Sequence, residues 1–219
     1  MKVVVIGAHG KVGRLLVPIL ADRGVHAVGV VRREEQVMLV RDLGGEPLLL
    51  DVEHATTEEI ASALDGVDAV VWSAGAGGGD RDRTYAVDRD AATRSMDAAH
   101  AAGVDRYLMV SWIGSVPEHG VDPESGFFAY ADAKLAADDH LRGTELDWTI
   151  LGPGTLTDDA PTGAITVVAE DAETPQGDAS RVSRADVAMV VAEALRTPAT
   201  VGRFVRFSAG DAPILEALR

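Results

Sequence analysis

Short runs of Val, Ile and Leu alternate along the chain with longer stretches in which Ala, Leu and charged residues recur at helical spacing. The short runs, near 2–6, 26–31, 47–51, 68–73, 106–111, 147–151, 164–168 and 203–208, predict strands. The longer stretches, near 11–22, 34–43, 57–64, 85–102, 129–142, 185–196 and 211–218, predict helices. Such alternation is the pattern of an α/β fold, a doubly wound parallel sheet with helices on both faces. Right-handed crossovers then leave a crevice at the carboxyl ends of the strands, where the strand order reverses. Three segments break the rhythm there: 75–83, 115–127 and 152–163, all rich in Gly, Pro, Ser or Asp. They predict loops that shape access to the crevice. No repeat or linker divides the 219 residues, so a single domain over 1–219 is expected.

Composition removes several classes of chemistry. There is no cysteine, which excludes disulfides, thiolate metal sites and cysteine nucleophiles. The histidines (His9, His26, His54, His100, His119, His140) are scattered, and no pair has the spacing that aims two imidazoles at one metal, so no metal site is expected. The formal charge of −15 opposes nucleic acid and anionic membrane, and any phosphate-bearing ligand must meet locally arranged donors. No apolar run is long enough to span a bilayer, and the N-terminus reads as a first strand rather than a signal peptide. A soluble, cytoplasmic protein is the expectation. The acidic surface fits either a biased genome or a salt-adapted cytoplasm.

Three constellations carry candidate chemistry. The first is Gly7-Ala8-His9-Gly10-Lys11-Val12-Gly13, between the first strand and first helix. Glycines there let the backbone turn tightly against a pyrophosphate, whose charge is stabilised by amides and the positive helix end. The spacing is Gly-x-x-Gly-x-x-Gly, and its place after an N-terminal strand strengthens the reading. The second lies about twenty residues on, where the second strand ends in Arg32-Arg33. An acidic residue there would hold the ribose hydroxyls of NAD, whereas arginine can pair bidentately with a 2′-phosphate, so NADP(H) is preferred over NAD(H), with Arg32 ahead of Arg33. Asp51-Val52 and Ser73-Ala74-Gly75 follow the third and fourth strands, where an adenine edge and a ribose would lie; Asp51 serves equally well as a helix cap. The third is Tyr130-Ala131-Asp132-Ala133-Lys134, preceded by Ser111-Trp112. Tyr130 and Lys134 are i, i+4 neighbours, so the ammonium is expected to lower the phenol pKa and create an acid–base group. Only Lys2, Lys11 and Lys134 are lysines, which makes this pairing harder to dismiss as incidental.

Together these residues resemble the short-chain dehydrogenase/reductase superfamily, in its atypical, short NAD(P)-binding Rossmann branch that includes biliverdin-reductase-B-like and NADPH-sensor-like proteins. Further carriers are Leu146-Asp147-Trp148-Thr149-Ile150, Pro153-Gly154 and Ser183-Arg184-Ala185-Asp186-Val187-Ala188. The resemblance implies that Tyr130 donates a proton to a carbonyl receiving hydride, that Lys134 lowers its pKa and holds the nicotinamide ribose, and that Ser111 orients the carbonyl. Pro153 and Gly154 would form the turn beside the nicotinamide, and residues 155–163 part of a substrate lid. Two departures stand out. Trp112 replaces the usual second serine, leaving Ser115 as a fallback, and Gly152 stands where an arginine is common.

The reading is therefore an NADP(H)-dependent oxidoreductase acting on a small carbonyl, quinone or similar acceptor, as a monomer or small homo-oligomer. A redox sensor or scaffold without efficient catalysis is the alternative, motivated by Trp112 and the long glycine-rich loop. A sugar epimerase or dehydratase ranks last, because little chain remains for a sugar-binding domain.

Overall fold

The computed structural model describes residues 1–78, 80–169 and 172–219; Gly79 of the 75–83 loop, and Glu170 and Asp171, lie outside the described residues. In chain order the elements begin β1 (Lys2–Ile6), α1 (Gly13–Asp22), β2 (His26–Val31), α2 (Val37–Asp42), β3 (Glu46–Leu49), α3 (Thr57–Ala63) and β4 (Ala69–Trp72). Then come α4 (Arg81–Thr84), a π-helical segment (Tyr85–Ala91), α5 (Ala92–Ala101), β5 (Arg106–Val110), α6 (Phe128–Arg142) and β6 (Asp147–Pro153). The chain closes with β7 (Thr155–Thr157), β8 (Ala164–Val168), β9 (Arg181–Ser183), α7 (Arg184–Ala194), β10 (Arg203–Ala209), β11 (Ala212–Pro213) and α8 (Ile214–Ala217).

Among the described residues, nine strands form one sheet in the order β11-β8-β10-β6-β5-β4-β1-β2-β3. Its central strands are apolar throughout because both faces are covered, and alternate residues feed different cores. Val3 and Val5 of β1 pack with Leu16 and Val17 of α1 and Val187 and Val191 of α7. Val4 and Ile6 pack with Ile60 of α3, Met96 of α5 and Leu141 of α6. The order reverses between β1 and β4, which places the crevice above those two carboxyl ends.

The sheet departs from a purely parallel one at its far edge, where β8 runs antiparallel to β10 and β11 antiparallel to β8. Residues 154–163, between β6 and β8, include no helix to carry a parallel crossover. The expected helix at 211–218 is correspondingly shortened: Ala212 and Pro213 extend the sheet, and the helix starts at Ile214. The helix expected at 85–102 begins earlier, at Arg81, because the Asp80 carboxylate accepts from the Arg83 amide and caps it. β7 and β9, absent from the sequence reading, pair in a separate two-stranded sheet beside the crevice.

Candidate active site and cofactor groove

The glycine turn is built as its spacing suggests. Gly7 has φ +93°, and a Cβ on it would come within 2.6 Å of the Ala74 backbone nitrogen, so only glycine lets β1 pass this close to the end of β4. Gly10 donates its N–H to the Gly7 carbonyl at 2.8 Å, and Gly13 opens α1. His9 is held by Arg14, whose Nε donates to the His9 carbonyl at 2.7 Å; burial and the Arg14 charge push the imidazole pKa down.

Two cavities meet along this turn. The larger, about 660 Å3, is lined by Lys11, Val12, Asp88, Ser111, Tyr130 and Lys134. The smaller, about 290 Å3, is lined by Gly7, His9, Gly10, Arg32, Arg33, Asp51 and Val52. Ser73, Ala74 and Gly75 line both, so the pair forms one groove across the switch point. A tight glycine turn at its centre, a helix N-terminus beside it and guanidinium groups at one end fit a dinucleotide.

At the arginine end, the Arg32 and Arg33 amides both donate to Gln36 Oε1, which fixes the exit of β2. The Arg32 guanidinium turns toward Glu53 at 3.8 Å, whereas Arg33 pairs with Glu35 at 3.0 Å. Asp51 does not cap α3; Thr56 does, in a reciprocal bond with Glu59. Asp51 instead accepts from the Glu53 amide and pairs with His54.

At the other end, α6 presents Tyr130 and Lys134 to the larger cavity, with two differences from expectation. The Lys134 ammonium is buried and donates to the Val110 carbonyl at 2.9 Å, and the Tyr130 phenol pKa is raised rather than lowered. Burial is the main cause, followed by the Asp88 and Asp138 carboxylates, both of which disfavour a phenolate. The Ser111 hydroxyl is not directed at the cavity alone: it donates to Asp138, as does Ser115 at 2.6 Å.

Asp88 and Asp138 were missed by the sequence reading. Both are fully buried, each keeps one carboxylate oxygen without a partner among the described residues, and burial raises both pKa values against the opposing pull of Lys134. Asp138 stands one further helical step along the Tyr130–Lys134 face, and that spacing was available as a signal. Asp88 sits in the π-helical segment and accepts from the Ala76 amide at 2.9 Å, tying the glycine-rich loop to the helix.

Trp112 packs behind Phe127, which lines the larger cavity. Its ring stands edge-on to Phe127 at 5.1 Å, and Phe127 lies 5.1 Å from Tyr130. Pro153 and Gly154 line neither cavity. Pro153 ends β6 and accepts from the Ile113 amide, Gly154 donates to Phe207, and a Cβ on Gly154 would lie 1.6 Å from the Ser180 carbonyl oxygen. The segment beyond, 155–163, contributes Leu156 to the larger cavity, and Asp158 bridges Arg184 at 2.7 Å and Lys11 at 3.6 Å.

Fold and groove together define a Rossmann-like α/β domain of the nicotinamide dinucleotide-binding class. Residues 7–198 match the family model described as NAD(P)H-binding, and the chain belongs to that family, within the atypical short-chain dehydrogenase/reductase-like proteins. It is 36% identical over 222 residues to a Bacillus subtilis protein, YhfK, described as an uncharacterized sugar epimerase, covering 100% of this chain and 99% of that one. A Bacillus halodurans structure described as an NAD-dependent epimerase/dehydratase superposes with TM-score 0.90 at 33% identity, covering 100% of this chain and 98% of that one. The Lactococcus lactis oxidoreductase ylbE superposes with TM-score 0.86 at 31% identity, covering 100% and 95%.

Proposed function

We propose that this chain is an NADP(H)-dependent oxidoreductase that reduces a small carbonyl, quinone or similar acceptor in the larger cavity. The observation that carries the reading is the convergence of Tyr130, Lys134 and Ser111 on a cavity that shares Ser73, Ala74 and Gly75 with the groove at the glycine turn. The residues of that turn, with Lys11, Arg32 and Lys134, would hold the dinucleotide, and its reduced nicotinamide supplies a hydride.

The chain's own part is to place and protonate the acceptor. A phenol with a raised pKa stays protonated at neutral pH, so Tyr130 delivers a proton from Oη to the acceptor oxygen. The Lys134 ammonium, fixed on the Val110 carbonyl, lines the same cavity and adds positive charge to it when the proton leaves. Ser111, with its proton directed to Asp138, offers its oxygen to a donor on the acceptor. Phe127, backed by the edge of Trp112, gives that side of the cavity an apolar surface and limits water.

Fluorescence titration with NADPH and NADH comes first, repeated with Arg32→Glu, which should weaken NADPH selectively. With a diffusible quinone as probe acceptor, Tyr130→Phe should then lower turnover at least about tenfold while leaving NADPH affinity nearly unchanged. Equal turnover in the variant removes Tyr130 from the mechanism, and failure of folded protein to bind either cofactor removes the enzyme reading.

A second reading, sugar epimerisation, is favoured by the description of YhfK, which this chain matches along nearly its whole length. It is distinguished by formation of an isomeric sugar without net consumption of cofactor. A sensor role would instead show cofactor-dependent protection of the 75–83 loop from protease with no acceptor reduced. The proposal places the protein in the cytoplasm as a monomer or small homo-oligomer; among the described residues, no helix is long and apolar enough to cross a membrane.

A further inference from the structure

The groove contains a basic pair that spacing along the sequence does not reveal. Glu53 Oε2 lies 3.1 Å from Arg83 Nε and 3.8 Å from Arg32 Nη1, so one carboxylate sits between guanidiniums from β2's exit and from α4. All three residues line the smaller cavity with Gly7, His9 and Gly10. The Glu53 side chain is only 17% exposed, and that of Arg83 29%.

We propose that Arg32 and Arg83 together seat the ribose 2′-phosphate of the cofactor, and that Glu53 is the carboxylate this phosphate displaces. The inference rests on the NADP(H) reading above and deepens it. Planar guanidiniums recognise carboxylate and phosphate through the same paired N–H geometry, so a carboxylate held between two of them marks a position suited to a phosphate. Arg33 is peripheral to it, being paired with exposed Glu35.

Charge decides what must move. A phosphate monoester carries about −1.5 to −2 at pH 7, which matches two guanidiniums but not two guanidiniums already opposed by a carboxylate. Phosphate therefore binds with Glu53 turned away. The backbone beneath Glu53 is held while the side chain turns: Arg94 donates to the carbonyls of Val52 at 3.1 Å and Glu53 at 2.9 Å. Arg83 also donates to the Ala76 carbonyl, so the residue that meets the phosphate tethers the glycine-rich loop shared by the two cavities. Glu53 thus lowers affinity for the 2′-phosphate.

The test is calorimetric titration of the full chain with 2′,5′-ADP and with 5′-AMP, which differ by that phosphate alone. Wild type should prefer 2′,5′-ADP. Arg83→Leu should lose roughly tenfold to a hundredfold for 2′,5′-ADP and little for 5′-AMP, as removal of a charge-assisted pair implies. Glu53→Gln should gain several-fold for 2′,5′-ADP only. If folded wild type binds neither nucleotide, the cofactor reading fails and takes this inference with it. If it binds both equally, or if Arg83→Leu and Glu53→Gln leave their ratio unchanged, the cofactor groove stands and only the phosphate seat is overturned. Should Arg83→Leu weaken both nucleotides by releasing the loop, Glu53→Gln decides: a raised ratio supports the seat, and an unchanged or lowered one overturns it.

Discussion

At the scale of the residue, the site is governed by burial more than by sequence neighbours. Tyr130 and Lys134 were legible because helical spacing alone places them together, but their electrostatics were not. Spacing predicts that the ammonium lowers the phenol pKa; the structure adds two buried carboxylates, and burial with their charges raises it. In the proposed mechanism Tyr130 is therefore a proton donor whose acid form survives past the ordinary phenol value near 10, so the Tyr130-dependent rate should show no alkaline loss below about pH 10. An alkaline limb nearer neutrality that vanishes in Tyr130→Phe would contradict this. Asp138 gives a second expectation. Its folded pKa lies above the ordinary 3.8, so the charged form costs stability at neutral pH, and that cost fades as pH falls through the folded value and is absent below about 3.8. Asp138→Asn should therefore raise Tm at pH 7, with the gain shrinking toward pH 4; a lower Tm at pH 7 would mean that attraction to Lys134 outweighs burial. Helical spacing puts Asp138 on the Tyr130–Lys134 face, but its bond to Ser111 was not legible, because that contact joins the end of β5 to the third turn of α6 and no local pattern encodes the approach.

Individual elements were legible in proportion to how much of their pattern is local. The central strands announce themselves as apolar runs because both of their faces are covered. β7 and β9 are three residues each, Thr155-Leu156-Thr157 and Arg181-Val182-Ser183, too short for periodicity to rise above chance, and they exist because each finds the other. The π-helical segment was equally hidden: its sequence continues a helical pattern, and only the burial of Asp88 against the Ala76 amide shows what the irregular turn accomplishes. The Pro153-Gly154 turn was recognised, but its packing role was not legible. Gly154 is required where β6 passes into β7, since a Cβ there would overlap the Ser180 carbonyl. Gly154→Ala should destabilise by about 1–3 kcal/mol through displacement of Ser180 and β9, measurable by denaturant unfolding. A variant with unchanged stability would show that the segment at Ser180 moves aside freely.

At the scale of the whole molecule, charge is the property that neither fold nor site explains. Asp and Glu outnumber Lys and Arg by 35 to 20, giving −15, while several of the ion pairs that could offset this join groups well exposed to water. Lys11–Asp158, Arg33–Glu35 and Arg181–Asp178 all have both side chains at least half exposed. Such pairs contribute about 0–1 kcal/mol each and weaken with salt. Repulsion among the excess carboxylates acts over longer distances and is screened once the Debye length falls to about 10 Å near 0.1 M salt. The two effects have opposite signs, and the imbalance of charge favours the second. Thermal unfolding in sodium chloride from about 0.01 to 0.5 M should thus show Tm rising with salt, most steeply below about 0.15 M where screening changes fastest. A falling Tm would locate the stability in the exposed ion pairs after all. A rise that continued well beyond the screening range would mark adaptation to a saline cytoplasm rather than a compositional bias of the genome, the distinction that residue counts alone leave open.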